Sequence, residues 1–338
     1  MTTDPTPEPT PPVAEPAPPT AEPTSTSADG SIVDWGERSE RWAGVRSETI
    51  DLAGTAVHTL WADGPEDGTP QLLIHGLGGS ATNWIEVMPG LAERGPVAAP
   101  DLPGFGTTEL PHPRASRIPA NVAFLHAFLR KLGWSRAVVH GNSMGGMLAV
   151  LLADRAPERV ERLVLASPAL PTARAKMYKI HPATLLRFVP FLVPGVGSLA
   201  VRAMQAQLSP EREWEQTAKF LHGDPERVPP ELQAIGLENL AAGRDDAWRR
   251  EGLVGAAESL VSAMLRSREL VQAVEEIHVP TMVVWGDADR LVGRAVIDAL
   301  EQRRPDWQLT SLPAVGHVPM AEAPSEYLDA VRRFLDAG

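Results

Sequence analysis

The sequence predicts an α/β fold, a mostly parallel sheet covered by helices on both faces and interrupted once by a helical insertion. Three observations predict it. First, short apolar runs recur at Gln71-Leu-Leu-Ile74, Val97-Ala-Ala99, Ala137-Val-Val139, Arg162-Leu-Val-Leu-Ala166 and Thr281-Met-Val-Val-Trp285. Helical patterns over 121–132, 146–155 and 295–302 lie between most of them. Strands that are apolar on both faces belong to a parallel sheet buried on both sides. Second, this rhythm stops between about Pro168 and Glu276, where no strand-like run occurs, and resumes at Val279-Pro280. Third, residues 141–145 read Gly-Asn-Ser-Met-Gly between an apolar run and a helix-like run, giving strand, sharp turn and helix with a serine at the apex.

Taken in order, the first thirty residues are almost wholly Pro, Thr, Ala, Glu and Ser, with no Lys or Arg. Such a segment buries too little apolar surface to offset its ordering entropy, so a disordered acidic tail is expected. It has neither the basic nor the apolar region of a secretory signal. No stretch of the chain is apolar and long enough to span a bilayer, and a cytoplasmic location without a membrane span is expected. Two alternating segments, 46–52 and 55–61, flank Ala53-Gly54 and read as an antiparallel hairpin. The insertion reads as helices over 183–191, 198–207, 211–221 and 259–274, broken at Pro190, Pro194, Gly195, Pro229 and Pro230. The expected division is a tail over 1–30, a first core part over 31–167, a helical cap over 168–276 and a second core part over 277–338.

Composition removes several classes of function. A formal net charge of -12 repels nucleic-acid phosphates, so no nucleic-acid partner is expected. With no cysteine among 338 residues, a thiol nucleophile, a disulfide framework and cysteine metal ligands are excluded. No motif specifies an oligomeric state.

In the strand-turn-helix context, Ser143 reads as a nucleophile on a strained elbow. Gly141 and Gly145 let strand and helix approach closely, and the new helix aims its free N–H groups at the serine. A serine hydroxyl is a weak nucleophile at neutral pH and requires a base and an orienting acid. His317, in Gly316-His-Val-Pro319 after the strand-like run 307–312, has the setting of the base. The acid lies between serine and histidine in chain order in this architecture. Asp287 and Asp289, just beyond the run ending at Trp285, compete for that role. Asp289 is favoured because the loop must reach sideways to the histidine, and Asp287 then serves to hold the turn through Asx-type bonding. An oxyanion hole takes two aimed donors. The backbone N–H of Met144 supplies one, and that of Leu77, in His75-Gly-Leu-Gly-Gly79, supplies the other. Gly76 and Gly78 let this loop pass close to the substrate, and His75 anchors it by hydrogen bonding.

Together these residues resemble the α/β-hydrolase superfamily from about Trp42 onward. The resemblance rests on His75-Gly-Leu-Gly-Gly79, Asp101-Leu-Pro-Gly-Phe-Gly106, Gly141-Asn-Ser-Met-Gly-Gly146, Trp285-Gly-Asp-Ala-Asp289 and Gly316-His-Val-Pro319, all in the expected order. It implies the α/β-hydrolase fold with a helical cap, a Ser143-His317-Asp289 triad and an oxyanion hole at Leu77 and Met144. Haloalkane dehalogenases and epoxide hydrolases of this superfamily carry Asp at the elbow, and Ser143 argues against both activities. Gly-Asn-Ser-Met-Gly-Gly is similar to the members that hydrolyse carbon–carbon bonds in ring-fission products. Those typically carry Pro after the oxyanion glycines and Trp after the histidine, where this chain has Ser80 and Val318.

The expected activity is hydrolysis of a carboxylic ester through an acyl-enzyme, with a small apolar ester as substrate and no metal or organic cofactor. One alternative is carbon–carbon hydrolysis of a vinylogous diketone acid, for which Arg174, Lys176, Lys179 and Arg187 are candidate carboxylate holders. Another is a ligand-binding protein with a relic triad. Cap residues Met177, Leu185, Leu186, Phe188, Phe191, Leu192, Met204, Trp214 and Met264 are candidates to line a hydrophobic pocket, and equally to pack cap on core.

Overall fold

The computed structural model describes residues 33–171, 188–193 and 195–337. In chain order these form β1 (Val33–Asp34), β2 (Val45–Leu52), β3 (Thr55–Ala62), β4 (Gln71–Ile74), α1 (Met88–Ala92), β5 (Val97–Pro100), α2 (Ile118–Lys131), β6 (Ala137–Asn142), α3 (Met144–Arg155) and β7 (Val160–Ala166). The helices α4 (Val196–Gln207), α5 (Pro210–Leu221), α6 (Pro230–Gly243), α7 (Ala247–Leu265) and α8 (Arg268–Glu276) follow. The chain closes with β8 (Thr281–Gly286), α9 (Arg294–Arg303), β9 (Gln308–Leu312), α10 (Pro319–Glu322) and α11 (Pro324–Asp336).

All nine strands lie in one sheet, ordered β1-β2-β3-β5-β4-β6-β7-β8-β9. From β5 to β9 every pairing is parallel, while β1, β2 and β3 are joined antiparallel to their neighbours. The four-residue strands β4 and β5 and all of β6 and β8 are buried along their whole length, which explains their continuous apolar runs. Successive residues point to opposite faces. Leu72, Ile74, Val139, Leu163, Leu165 and Val283 therefore join a core under α2, α3, α8 and α9. Leu73, Val138, Val164, Met282 and Val284 join a second core with Met88, Tyr327 and Val331 of α1 and α11.

The hairpin forms as read, with Leu52 opposite Thr55. Ala53 and Gly54 both take positive φ, at 53° and 89°. That is the two-residue primed turn whose twist suits a hairpin, and Asp51 Oδ1 accepts the Gly54 N–H at 3.0 Å.

Between β7 and β8 the described residues contain helices and no strand. Their bounds differ from the sequence reading. The expected helix over 259–274 is two helices, because α7 ends at Leu265 and α8 begins at Arg268. Pro229-Pro230 is the start of α6 rather than only a break, since proline at the first helical position forgoes an N–H that has no intrahelical partner. Of the expected pocket residues, Phe188 and Met264 pack against the first core, while Leu192 is exposed. Trp214 lies against Gly236 of α6, so tightly that a Cβ there would come within 2.0 Å of the indole. Met177, Leu185, Leu186, the four basic candidates (Arg174, Lys176, Lys179, Arg187), Pro194 and the acidic tail lie outside the described residues. Among the described residues no helix is long and apolar enough to cross a membrane.

Candidate active site

The sheet topology reverses at β4, which has β5 on one side and β6 on the other. In open α/β sheets ligands bind at such a switch point, beyond the carboxyl ends of the strands. His75 follows β4, Asp101 follows β5, Ser143 follows β6, Asp289 lies beyond β8 and His317 beyond β9. All five motifs thus meet at one end of the sheet.

Ser143 joins β6 to α3 with φ 54° and ψ -115°. A non-glycine residue in this region is strained by about 1–3 kcal/mol and persists only where its surroundings fix it. Its N–H donates to the Ala166 carbonyl at 3.0 Å. Its own carbonyl accepts from Gly146 (3.0 Å), Met147 (3.2 Å) and Ala169 (2.9 Å). The turn also needs closeness that a side chain would prevent, since a Cβ on Gly145 would stand 2.2 Å from the Ile74 carbonyl oxygen. Within residues 141–153 only Ser143 is not buried. The elbow presents one hydroxyl and hides everything around it.

His317 and Asp289 are brought together. The histidine Nδ1 donates to Asp289 Oδ2 at 2.8 Å, with both side chains buried. This bond fixes the neutral ring's proton on Nδ1 and leaves Nε2 as the basic nitrogen. Asp289 Oδ1 accepts the N–H groups of Leu291 (2.7 Å) and Val292 (2.9 Å), so the carboxylate is held from both ends. Asp287 is placed elsewhere. Its Oδ1 accepts the Ala314 N–H at 2.7 Å, tying the loop after β8 to the loop after β9 across 27 residues. The local Asx-type bond expected of it is replaced by this longer-range one.

Gly76 packs on the elbow, where an added Cβ would lie 3.1 Å from Ser143 Cβ. The Met144 N–H stands at the first position of α3, where helix N–H groups lack intrahelical acceptors. Among the described residues no acceptor is found for the Met144 or the Leu77 N–H. Gly78 is exposed and has φ 74°, and a Cβ on it would lie 3.7 Å from Leu253 of α7. His75 anchors the loop as expected. It donates from Nδ1 to the Gly76 carbonyl (2.8 Å), and Nε2 accepts the Leu102 N–H (3.0 Å). Burial lowers its pKa, so the ring stays neutral and keeps this donor–acceptor pair.

Two residues at the site escaped sequence reasoning. Asn142 Nδ2 donates to the carbonyls of Ala166 (3.1 Å) and His317 (3.0 Å), joining the elbow directly to the histidine backbone. Glu322 accepts the Gly316 N–H at 2.8 Å, just ahead of the histidine. Asn142 occupies a free position of the Gly-x-Ser-x-Gly string. The Glu322 carboxylate finds its partners near residue 223 and at 316. The single available hint was an acidic residue between two prolines, Pro319 and Pro324, beside the histidine motif.

Comparison with known proteins agrees with this architecture. The model of the alpha/beta hydrolase fold family matches residues 70–324. Lipase 1 of Psychrobacter immobilis is 27% identical over 300 residues, covering 88% of this chain and 86% of that protein. A 2-hydroxy-6-oxo-2,4-heptadienoate hydrolase of Pseudomonas putida is 44% identical over 101 residues, covering 29% of this chain and 37% of that protein. Among solved structures, a bacterial membrane phospholipase A superposes with a TM-score of 0.68 at 27% identity, covering 89% of this chain and 88% of that one. The parallel sheet, the strained serine after β6 and the family match over three quarters of the sequence lead to one assignment: the chain belongs to the α/β-hydrolase family.

Proposed function

We propose that this protein is a serine hydrolase that cleaves a carboxylic ester through an acyl-enzyme intermediate, and that the helices between β7 and β8 cap its site. The observation that carries the reading is the coincidence at one sheet end of a strained, accessible serine and a histidine whose Nδ1 is held by a buried carboxylate. His317 Nε2 takes the Ser143 proton as the hydroxyl attacks the ester carbonyl. The N–H groups of Met144 and Leu77 stabilise the tetrahedral oxyanion, a contribution of about 3–4 kcal/mol per donor in comparable sites. The imidazolium, stabilised by Asp289, then protonates the departing alcohol. A water deprotonated by the same nitrogen attacks the acyl-enzyme, and collapse of that intermediate returns the proton to Ser143. Likeness to Lipase 1 over most of both chains supports ester cleavage.

The test is hydrolysis of p-nitrophenyl esters from acetate to palmitate, with Ser143→Ala as control. Activity lost in the variant is expected, and the chain-length optimum reports the size of the acyl pocket. Silence of the wild type across the series overturns the ester reading.

One observation favours a second reading. The 44% identity to a heptadienoate hydrolase, over 101 residues, supports carbon–carbon cleavage by the same three residues. Turnover of a vinylogous diketone acid by a protein inert to esters distinguishes it.

A further inference from the structure

Glu322 ends α10, and its side chain is 0% exposed. Its Oε2 accepts the N–H of Gly316 at 2.8 Å and of Gly223 at 3.0 Å, and Oε1 accepts that of Asp224 at 2.9 Å. One carboxylate therefore joins the histidine loop to the residues that follow α5. Burial would raise its pKa, but the His222 ring and these three N–H groups hold it below the ordinary value, so it stays ionised at neutral pH.

The same short segment, 221–224, is gripped by both loops that carry the proposed histidine and acid. The His317 N–H donates to the Leu221 carbonyl at 2.6 Å. Arg290, next to Asp289, donates through Nη1 to the His222 carbonyl at 2.9 Å and also to that of Lys219. The backbones are nearly in contact. A Cβ on Gly316 would stand 2.3 Å from the Leu221 oxygen, and one on Gly223 would stand 2.3 Å from the Ala314 oxygen.

We propose that Glu322 is a positioning residue for the reaction: it clamps the His317 loop to segment 221–224, so that the histidine is aligned only when the helical insertion is docked. This rests on the serine-hydrolase reading above. A carboxylate suits the task because it only accepts hydrogen bonds, and three N–H groups converge on it. In Glu322→Gln the amide NH2 faces one of those donors, and in Glu322→Asp the shorter arm cannot span both sides.

The experiment compares wild type, Glu322→Gln and Glu322→Asp as full chains, at a temperature where thermal melting shows each to be folded. It measures kcat and KM on the best ester of the p-nitrophenyl series, and the rate at which a fluorophosphonate modifies Ser143, read by intact mass. A misaligned base loses rate steeply, so kcat and the phosphonylation rate are expected to fall together, by roughly 10- to 100-fold in Glu322→Gln and at least as far in Glu322→Asp, with KM within about twofold. Wild-type rates in folded Glu322→Gln overturn the proposal. Should that variant not fold, Arg290→Met loosens the same segment from the acid side and is expected to lower both rates with KM held, and unchanged rates there overturn it equally. A wild type inert to the fluorophosphonate overturns the serine-hydrolase reading itself, and this inference with it.

Discussion

Two histidine–aspartate pairs in this molecule have the same geometry. His317 Nδ1 meets Asp289 Oδ2 at 2.8 Å, and His58 Nδ1 meets Asp101 Oδ2 at 2.8 Å. The second pair even has a serine in line, because His58 Nε2 lies 3.0 Å from Ser47 Oγ. Ser47, however, sits within β2, paired to Leu60 of β3 on one side and to Val33 of β1 on the other. Its oxygen already accepts the Trp35 indole N–H at 3.0 Å. No strained turn lifts it and no helix N-terminus faces it. Asp101 is likewise occupied by structure, accepting the N–H groups of Ala81 (2.7 Å) and Thr107 (2.9 Å). What sets Ser143 apart from Ser47 is the strained elbow, with the N–H groups of Met144 and Leu77 for which the described residues offer no acceptor.

The sharpest way to break that comparison is to remove each serine. Ser143→Ala is expected to lower ester hydrolysis by roughly 10^4-fold or more, as loss of a nucleophile does elsewhere. Ser47→Ala is expected to leave kcat/KM within about twofold. Equal losses in the two variants, measured on one ester under one condition, would put the chemistry at the wrong pair.

The acids separate next. Asp289→Asn disturbs the tautomer that presents Nε2 as base, and kcat is expected to fall by about 10^3- to 10^4-fold while the melting temperature changes little. Asp101→Ala acts on stability instead. It leaves the buried Ala81 N–H and the partly exposed His58 ring and Thr107 N–H without their acceptor, at a cost of about 1–3 kcal/mol, measured by urea unfolding.

This contrast also shows what could be read in the sequence. The parallel strands were legible because burial on both faces makes an apolar run with no polar interruption, as in β4 and β8. Ser143, His317 and Asp289 were legible as candidates because each stands in a short local string at a strand end. The helices between β7 and β8 were read less well. The buried face of α7 is mostly small, with Gly252, Gly255, Ala256 and Ala257 beside the single large residue Leu260, and with Gly252 against the Gly104 backbone, and small residues give little apolar periodicity. The break between α7 and α8 was missed because apolar spacing runs on through it, from Leu260 and Met264 to Leu270 and Val274. The bonds made by Asn142, Glu322 and Asp101 were beyond this kind of reading for another reason. Their partners are backbone groups or side chains far along the chain, and no local pattern encodes such a bond.

The smallest expected effect belongs to His58, and its sign is set by its partner. Burial alone would lower the His58 pKa, but the charge and hydrogen bond of Asp101 carry it above the ordinary 6.5. A histidine whose folded pKa is raised binds its proton more tightly in the native state. Its contribution to stability is therefore complete below about 6.5 and is lost as pH rises through the higher folded value. His58→Gln also gives up the paired bonds to Ser47 and Asp101, a loss of about 1 kcal/mol. Urea unfolding of wild type and His58→Gln at several pH values is expected to show the widest gap near pH 6 and a narrower one toward pH 9. A gap that instead widens with rising pH would mean that His58 is neutral in the fold, against the raised pKa that Asp101 gives it.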